Sequence, residues 1–387
     1  MGDDLQYWIG FNLVRGIGPV RLRALIEVFG SVEAAWTASE AALRSMKLND
    51  RAAENLLQVR RQCNLDAILT RIDHLGIHVL TWDSPDYPPL LAQVADAPPV
   101  LFVRGTITPS DEWAVAMVGT RKASVYGREV ARRLAEELGR NGVTVVSGLA
   151  RGIDGIAHKA AIEAGGRSIA VLGCGVDQVY PPEHRKLAEG IAANGALVSD
   201  YPLGTQPEAQ NFPPRNRIIS GMSLGTIVVE AGFRSGALIT ADFALDQGRE
   251  VFAVPGSILS PGSAGCNRLL RDGAHVLTEV RDVLEVLHLD QVPEKQAARL
   301  VLPETPTEAA LFEHLAGEPH HLDDLSRQSG IPIEVVSSTL VMMELKGMVR
   351  QVGALQYVRA FEPSAVYDAV GVDPEAGSTQ PETDRGT

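Results

Sequence analysis

The sequence predicts an α/β protein built on an extended Rossmann-like, doubly wound, mostly parallel sheet, with an N-terminal helical module and a C-terminal winged helix. Three observations predict it. From Trp113 onward, apolar runs (AVAMV, VTVVSG, SIAVLG, ALVSDYP, GTIVVEA, VFAVPG) alternate with helical stretches of roughly 10–18 residues, the pattern of a parallel sheet buried on both faces. Residues 5–70 place apolar side chains at i, i+3/4 and i+7 in LRALIEVF and AENLLQVRRQCNLDAILTRI, a helical period. Residues 306–360 read as three helical patterns and a hairpin turning at Gly353, the order of a winged helix.

Taken in order, residues 1–75 form a SAM-like or helix-hairpin-helix-like domain. Its turn Gly16-Ile17-Gly18-Pro19 opens a helix near Val20, and Gly30-Ser31 closes that helix and caps the next. Such a hairpin can hold a phosphate at a helix N-terminus; a small helical packing domain is the plainer reading. Residues 76–288 form the Rossmann-like domain, in which HVLTW and VLFVRG, joined through Pro85, Pro88, Pro89, Pro98 and Pro99, are expected to extend the sheet. A polar linker over 289–305, the winged helix over 306–360 and a disordered tail over 361–387 complete the expected organisation.

The 387 residues suffice for two or three domains. The apolar runs are far shorter than the ~20 residues of a membrane span, and the acidic start MGDDLQYW lacks a secretory n-region. Cys63, Cys174 and Cys266 fit no metal-ligand spacing and read as reduced thiols. The expectation is a cytoplasmic protein with no membrane partner, no metal and no cofactor. A net charge of −13 argues against a nucleic-acid partner until its distribution is considered. The sums are −2 over 1–105, −2 over 106–288 and −9 over 289–387, so the centre is free to concentrate arginines locally.

Ligands of doubly wound sheets bind at the carboxyl ends of strands, and four strand-end loops stand out. Gly119-Thr120-Arg121 replaces the bare G-x-G-x-x-G turn of dinucleotide binders with a forked cation suited to phosphate; a structural salt bridge is the alternative. Ser147-Gly148-Leu149-Ala150-Arg151-Gly152 leads into a helix, with two glycines to admit a ligand and Asp154 as the expected cap. Asp154 and His158, at i and i+4, form a conceivable acid–base pair. Phe212, Arg215, Asn216 and Arg217 combine an aromatic ring with arginines, the components of a single-strand clamp; core burial of Phe212 is the equal alternative. Ser235 and Gly236 start another helix, and Glu230 is expected to hold an arginine or a backbone N–H within the loops. No G-x-S-x-G, P-loop lysine or metal cluster suggests a catalytic residue.

Together VGTR, SGLARGID, AVLGCGVDQVYPPEH, FPPRNRIISG, VVEAGFRSGALITA and REVFAVPG closely resemble the bacterial DNA-processing family DprA (Smf). The resemblance implies a homodimeric extended Rossmann fold that binds single-stranded DNA without strong sequence preference. It also implies a non-enzymatic role in protecting incoming DNA and loading RecA recombinase during natural transformation. Phosphate contacts are implied for Arg121, for the 147–152 loop with Arg151, and for Ser235 and Gly236, with base contact near Phe212. Two departures matter. Pro-Glu-Ala-Gln-Asn precedes Phe212 where a basic residue is common, so Arg215, Arg217 or Lys186 would have to compensate. The third helix of the winged domain carries one lysine against two glutamates, which predicts contact with protein more than with duplex DNA. The rival reading is a nucleotide phosphoribohydrolase, since GMSLGTIVVEA loosely resembles the PGGxGTxxE segment of such enzymes but lacks the double glycine.

Overall fold

The computed structural model describes residues 4–46, 50–289, 305–315, 320–346, 348–353 and 355–359. The chain divides into two compact units, Met1–Gln296 and Ala297–Thr387. The tail over 361–387, and all of the expected linker except its end residues, lie outside the described residues.

A nine-stranded sheet organises the first unit. Its strands are β1 (His78–Thr81), β2 (Val100–Gly105), β3 (Ala114–Val118), β4 (Thr144–Ser147), β5 (Ser168–Val171), β6 (Gly195–Ser199), β7 (Gly225–Val228), β8 (Glu250–Ala253) and β9 (His275–Val276). They lie in the order β1-β2-β6-β5-β4-β3-β7-β8-β9. The seven strands from β6 to β9 in that order are parallel, with Val115 of β3 opposite both Val145 and Gly225. As expected, the Pro-rich segment adds two strands, both antiparallel, at one edge. The inner strands β3 to β7 are buried along their whole length. That explains their unbroken apolar runs, because helices cover both faces. From β3 the chain winds outward through β4, β5 and β6, then returns to β7 on the other side of β3. The carboxyl ends of β3 and β7 therefore flank the crevice where such sheets bind ligands.

One face of the sheet packs helices Phe212–Gly221, Gly236–Asp246 and Ala264–Arg271 through Ile218, Ala241 and Leu269. The opposite face takes Val125–Arg140 and Ile153–Glu163 on one half. On its other half sit the N-terminal helices, among them Leu5–Asn12, Pro19–Phe29, Asp50–Gln62 and Leu65–His74. Gly30, at φ +87°, closes the second of these and the Ser31 hydroxyl caps the next, as the sequence predicts. The long apolar stretch after residue 51 breaks at Asn64, whose side chain accepts the Ala67 N–H.

Trp8, Phe11, Leu25 and Leu56 share one hydrophobic cluster with Val100, Phe102, Leu172 and Leu197 of the sheet. The helical segment thus completes the sheet's core. In the second unit, helices Pro306–His314, Leu322–Ser329 and Ile333–Leu345 surround Leu311, Leu325, Leu340 and Tyr357. A three-stranded antiparallel sheet of β10 (His320–His321), β12 (Gln356–Arg359) and β11 (Val349–Gly353) accompanies them. The sequence pattern anticipated all of this except β10.

The shared core makes a specific prediction. All four tryptophans lie at or before Trp113, so their fluorescence reports the first unit alone. Phe102→Ala should cost about 3–5 kcal/mol and shift fluorescence from Trp8 and Trp36 together with that from Trp113 in one denaturant transition. Helical and sheet segments unfolding in separate steps would contradict a common core.

Candidate functional site

The site is assembled by the loops leaving β3, β4 and β7. The Thr120 N–H donates to the Glu230 carbonyl at 2.7 Å, and the Thr120 carbonyl accepts the Ile153 N–H at 3.3 Å. Two glycines make room for this knot. A Cβ on Gly119 would stand 2.5 Å from Ile153, and one on Gly152 (φ +79°) would stand 2.3 Å from the Thr120 oxygen. The Glu230 carboxylate, buried as expected of a structural residue, accepts the Ser124 N–H at 2.9 Å. It thereby sits at the N-terminus of helix Val125–Arg140, where a negative charge is favoured.

These loops enclose a cleft of about 430 Å³ at the β3/β7 switch point. Arg121 stands exposed at its mouth, 5.5 Å from the centroid of the Phe212 ring. No carboxylate pairs with Arg121 among the described residues, so the salt-bridge alternative does not hold. Phe212 is partly packed and partly open. It packs against Gly173 and lies 5.7 Å from the Tyr180 ring, yet it is only half-buried and lines the cleft. On the far wall Ser235 caps helix Gly236–Asp246, the space around Gly236 is open, and Asn216 and Ala150 face the same cavity.

Other expected site residues are placed differently. Ser147 is fully buried and its hydroxyl donates to the Met117 carbonyl at 2.6 Å. The Gly148 N–H is bound by Asp154, and a Cβ on Gly148 would collide with Arg215 at 2.5 Å. Both glycines let the loops pack closely; Gly148 is closed off by Arg215, whereas Gly152 also lines a second depression. Asp154 lies inside the helix it was expected to cap, and Gly152 occupies the cap position. Arg215 is 4% exposed and donates to the carbonyls of Gly148 and Val171. Burial pulls its guanidinium below the usual range. It is the floor of the cleft rather than a surface donor. Arg217 is held between Asp200, at 2.7 Å, and Asp96, with 12% of its side chain exposed, so it does not reach the cleft.

The Asp154–His158 pair is not an acid–base pair. His158 is fully buried; its Nε2 accepts the Leu149 N–H, and its Nδ1 lies 2.7 Å from the Ser168 hydroxyl. That hydroxyl donates to the Val145 carbonyl, so Nδ1 carries the proton and the ring is neutral. Burial pushes its pKa down to about 3 and raises that of Asp154.

Arg151 is exposed but ion-paired with Glu183. Beside that pair lies a second depression, of about 710 Å³, which shares Arg121 with the cleft and is lined by Lys122, Arg128, Lys159 and Lys186, with Glu183 the one carboxylate among its lining residues. Reading the loops alone missed Lys122, Arg128 and Lys159, and also Tyr180. A basic residue near the start of the helix that follows β3 was the usable signal for Lys122 and Arg128; Lys159, in the middle of its helix, and Tyr180 carried none.

A family model described as DNA recombination-mediator protein A matches residues 78–288, and one described as the DprA winged helix domain matches residues 295–354. Protein Smf of Escherichia coli is 39% identical over 354 residues, 86% of this chain and 93% of that protein. DNA processing protein DprA of Bacillus subtilis is 43% identical over 224 residues, 58% of this chain and 75% of its own length. Among solved structures, DprA from Streptococcus pneumoniae superposes with a TM-score of 0.64 at 34% identity, over 72% of this chain and 97% of that one. DNA processing protein A from Helicobacter pylori, solved to examine its single-stranded DNA binding mode, gives 0.51 at 29% identity, over 56% and 98%.

The neutral histidine gives the site a pH signature. An unfolded histidine takes up its proton near pH 6.5, whereas His158 in the fold resists protonation down to about pH 3. Its contribution is therefore fully present above pH 6.5 and lost as the pH falls toward 3. Between pH 7 and pH 5 the wild type should lose about 2 kcal/mol from this group. His158→Gln should show a stability profile flatter by that amount, measured by urea unfolding at the two pH values; parallel profiles would show that His158 titrates normally.

Proposed function

Because this chain belongs to the DprA (Smf) family of DNA recombination-mediator proteins, we propose that it binds single-stranded DNA along the cleft and the adjoining basic depression. The phosphates would follow Arg121, Lys122, Arg128, Lys159 and Lys186, with one base entering beside Phe212 and Tyr180. The observation that carries this reading is the unpaired Arg121, which belongs to both the aromatic cleft and the cation-lined depression. A row of cations beside an aromatic surface suits a polymer backbone with splayed bases and is indifferent to sequence. The single-stranded DNA binding of the Helicobacter relative supports the same reading.

The further role we propose is that of a cytoplasmic homodimer that shields incoming single strands and passes them to RecA during natural transformation. Among the described residues, no helix is long and apolar enough to cross a membrane. In the winged domain, helix Ile333–Leu345 exposes Ile333, Val335, Val341 and Met342. Lys346, just beyond the helix, is engaged by Glu308 at 2.9 Å. That surface favours protein contact over duplex DNA. A binding role is preferred to phosphoribohydrolase chemistry because Asp154, His158 and Glu230, three acid–base groups at the strand-end loops, all accept backbone N–H groups.

Electrophoretic titration at several salt concentrations tests this. Arg121→Ala should weaken binding to all single-stranded sequences alike and lower the salt slope by roughly 0.7. Arg151→Ala should act in the same direction but less, since Glu183 already occupies it. Glu183→Ala should tighten binding by freeing Arg151 and removing a repulsive charge. Unchanged binding in all three folded variants would refute the phosphate track, and release of adenine from AMP would favour the hydrolase.

A further inference from the structure

We infer that the turn over residues 14–19 and the first turn of helix Asp50–Gln62 form a second phosphate-binding surface, which carries a long single strand beyond the cleft. The inference rests on the single-strand reading of that cleft. A depression of about 410 Å³ is lined by Arg15, Gly16, Arg51, Ala52 and Asn55, two guanidinium groups with no carboxylate between them. Both arginines are exposed, and neither has an ion-pair partner among the described residues. Asp50, the adjacent acid, is turned to Arg44 at 3.2 Å. Arg51 also stands in the first turn of a 13-residue helix, where a cation opposes the helix dipole. The fold gains nothing visible from these two charges, and an anion would satisfy both.

The turn is built to hold them. The Asn55 side-chain amide donates to the Arg15 carbonyl at 2.8 Å. The Arg21 guanidinium donates to the Gly16 carbonyl, bringing a third cation to the same turn. Gly16, at φ +95°, takes a backbone conformation that other residues adopt only with strain.

Location identifies the partner as a polymer. The Asn12 amide donates to the Asp200 carbonyl just past the carboxyl end of β6, at 2.9 Å. Arg71 pairs with Asp177, beyond the end of β5, at 2.7 Å. Arg15 is three positions after Asn12, at most about 10 Å of chain. The arginine turn therefore lies by the edge of the sheet on which the cleft opens. A phosphodiester chain leaving the cleft toward β6 can meet it, whereas a free phosphate could occupy only one of the two surfaces.

The test compares wild type with the Arg15→Ala/Arg51→Ala double variant by fluorescence anisotropy. The probes are oligothymidylates of roughly 6 and roughly 40 nucleotides, chosen around the ~4–16-nucleotide sites typical of single-strand binders. For the long probe the salt slope should fall by about 1.4, two contacts at ~0.7 each, with affinity lowered at every salt concentration. The short probe should bind as before. Long-probe binding equal to wild type would overturn the inference, as would an equal loss with both probes. Arg121→Ala, measured alongside, should weaken both probes. If Arg121 matters and the double variant does not, only this second surface fails. If wild type binds neither probe, the single-strand reading fails with it.

Discussion

The backbone of one residue, Thr120, holds the candidate site together. The N–H of Thr120 is committed to the loop after β7 and its carbonyl to the helix start after β4. Three strand ends are thereby fastened at the point where the sheet changes winding direction. Neither bond could form if Gly119 or Gly152 carried a side chain. With both backbone groups of Thr120 used in this way, the Arg121 side chain is directed outward, and the strand-end helices present their first turns around a common opening. Gly119 and Gly152 bring loop against loop, and Gly236 leaves open space at the cleft wall.

Beneath the knot lies a polar layer that is structural throughout. Arg215 spans the carbonyls of Gly148, just after β4, and Val171, the last residue of β5, Ser147 ties β4 to β3, and neutral His158 links the β4 loop to Ser168. Buried polar groups persist only when their hydrogen bonds are met, and each of these has its partners. The layer keeps the cleft floor rigid and places a buried positive charge below it. Catalytic use of the same groups would require breaking the bonds that define the floor.

Family membership and surface chemistry agree. The relatives include recombination mediators and a single-strand binder, and the cleft joins a depression with five cations and one carboxylate among its lining residues. A net charge of −13 is compatible with this because the acidity is concentrated after residue 288, and screening limits its reach to about 8–10 Å. The N-terminal helices pack on one face of the sheet and share its core, with Asn12 reaching the residue just past the carboxyl end of β6. They bury apolar area there and, on the proposed single-strand reading, would extend the surface beyond the cleft.

Alternation of apolar runs with helices was enough to establish the sheet and its largely parallel sense; two short extended runs among prolines marked the added edge strands, and three helical patterns before a hairpin marked the winged helix. These follow from local periodicity and from the need to bury both faces of each inner strand. The motif loops were also legible, because a strand end followed by Gly and a helix start is a local pattern. Which loop residues face outward was not. Arg121 and Arg215 are both arginines beside a Gly or Pro turn, yet one is exposed and the other 4% exposed. That difference depends on how Gly148, Val171 and Phe212, far apart in the chain, meet around the guanidinium. Likewise, Lys122, Arg128, Lys159 and Lys186 become one basic surface only when three helices pack side by side. The sequence by itself determined the elements and their order, because those rest on neighbours along the chain. Tertiary structure alone decided which charges are buried and which converge, because burial and proximity are set by contacts between distant segments.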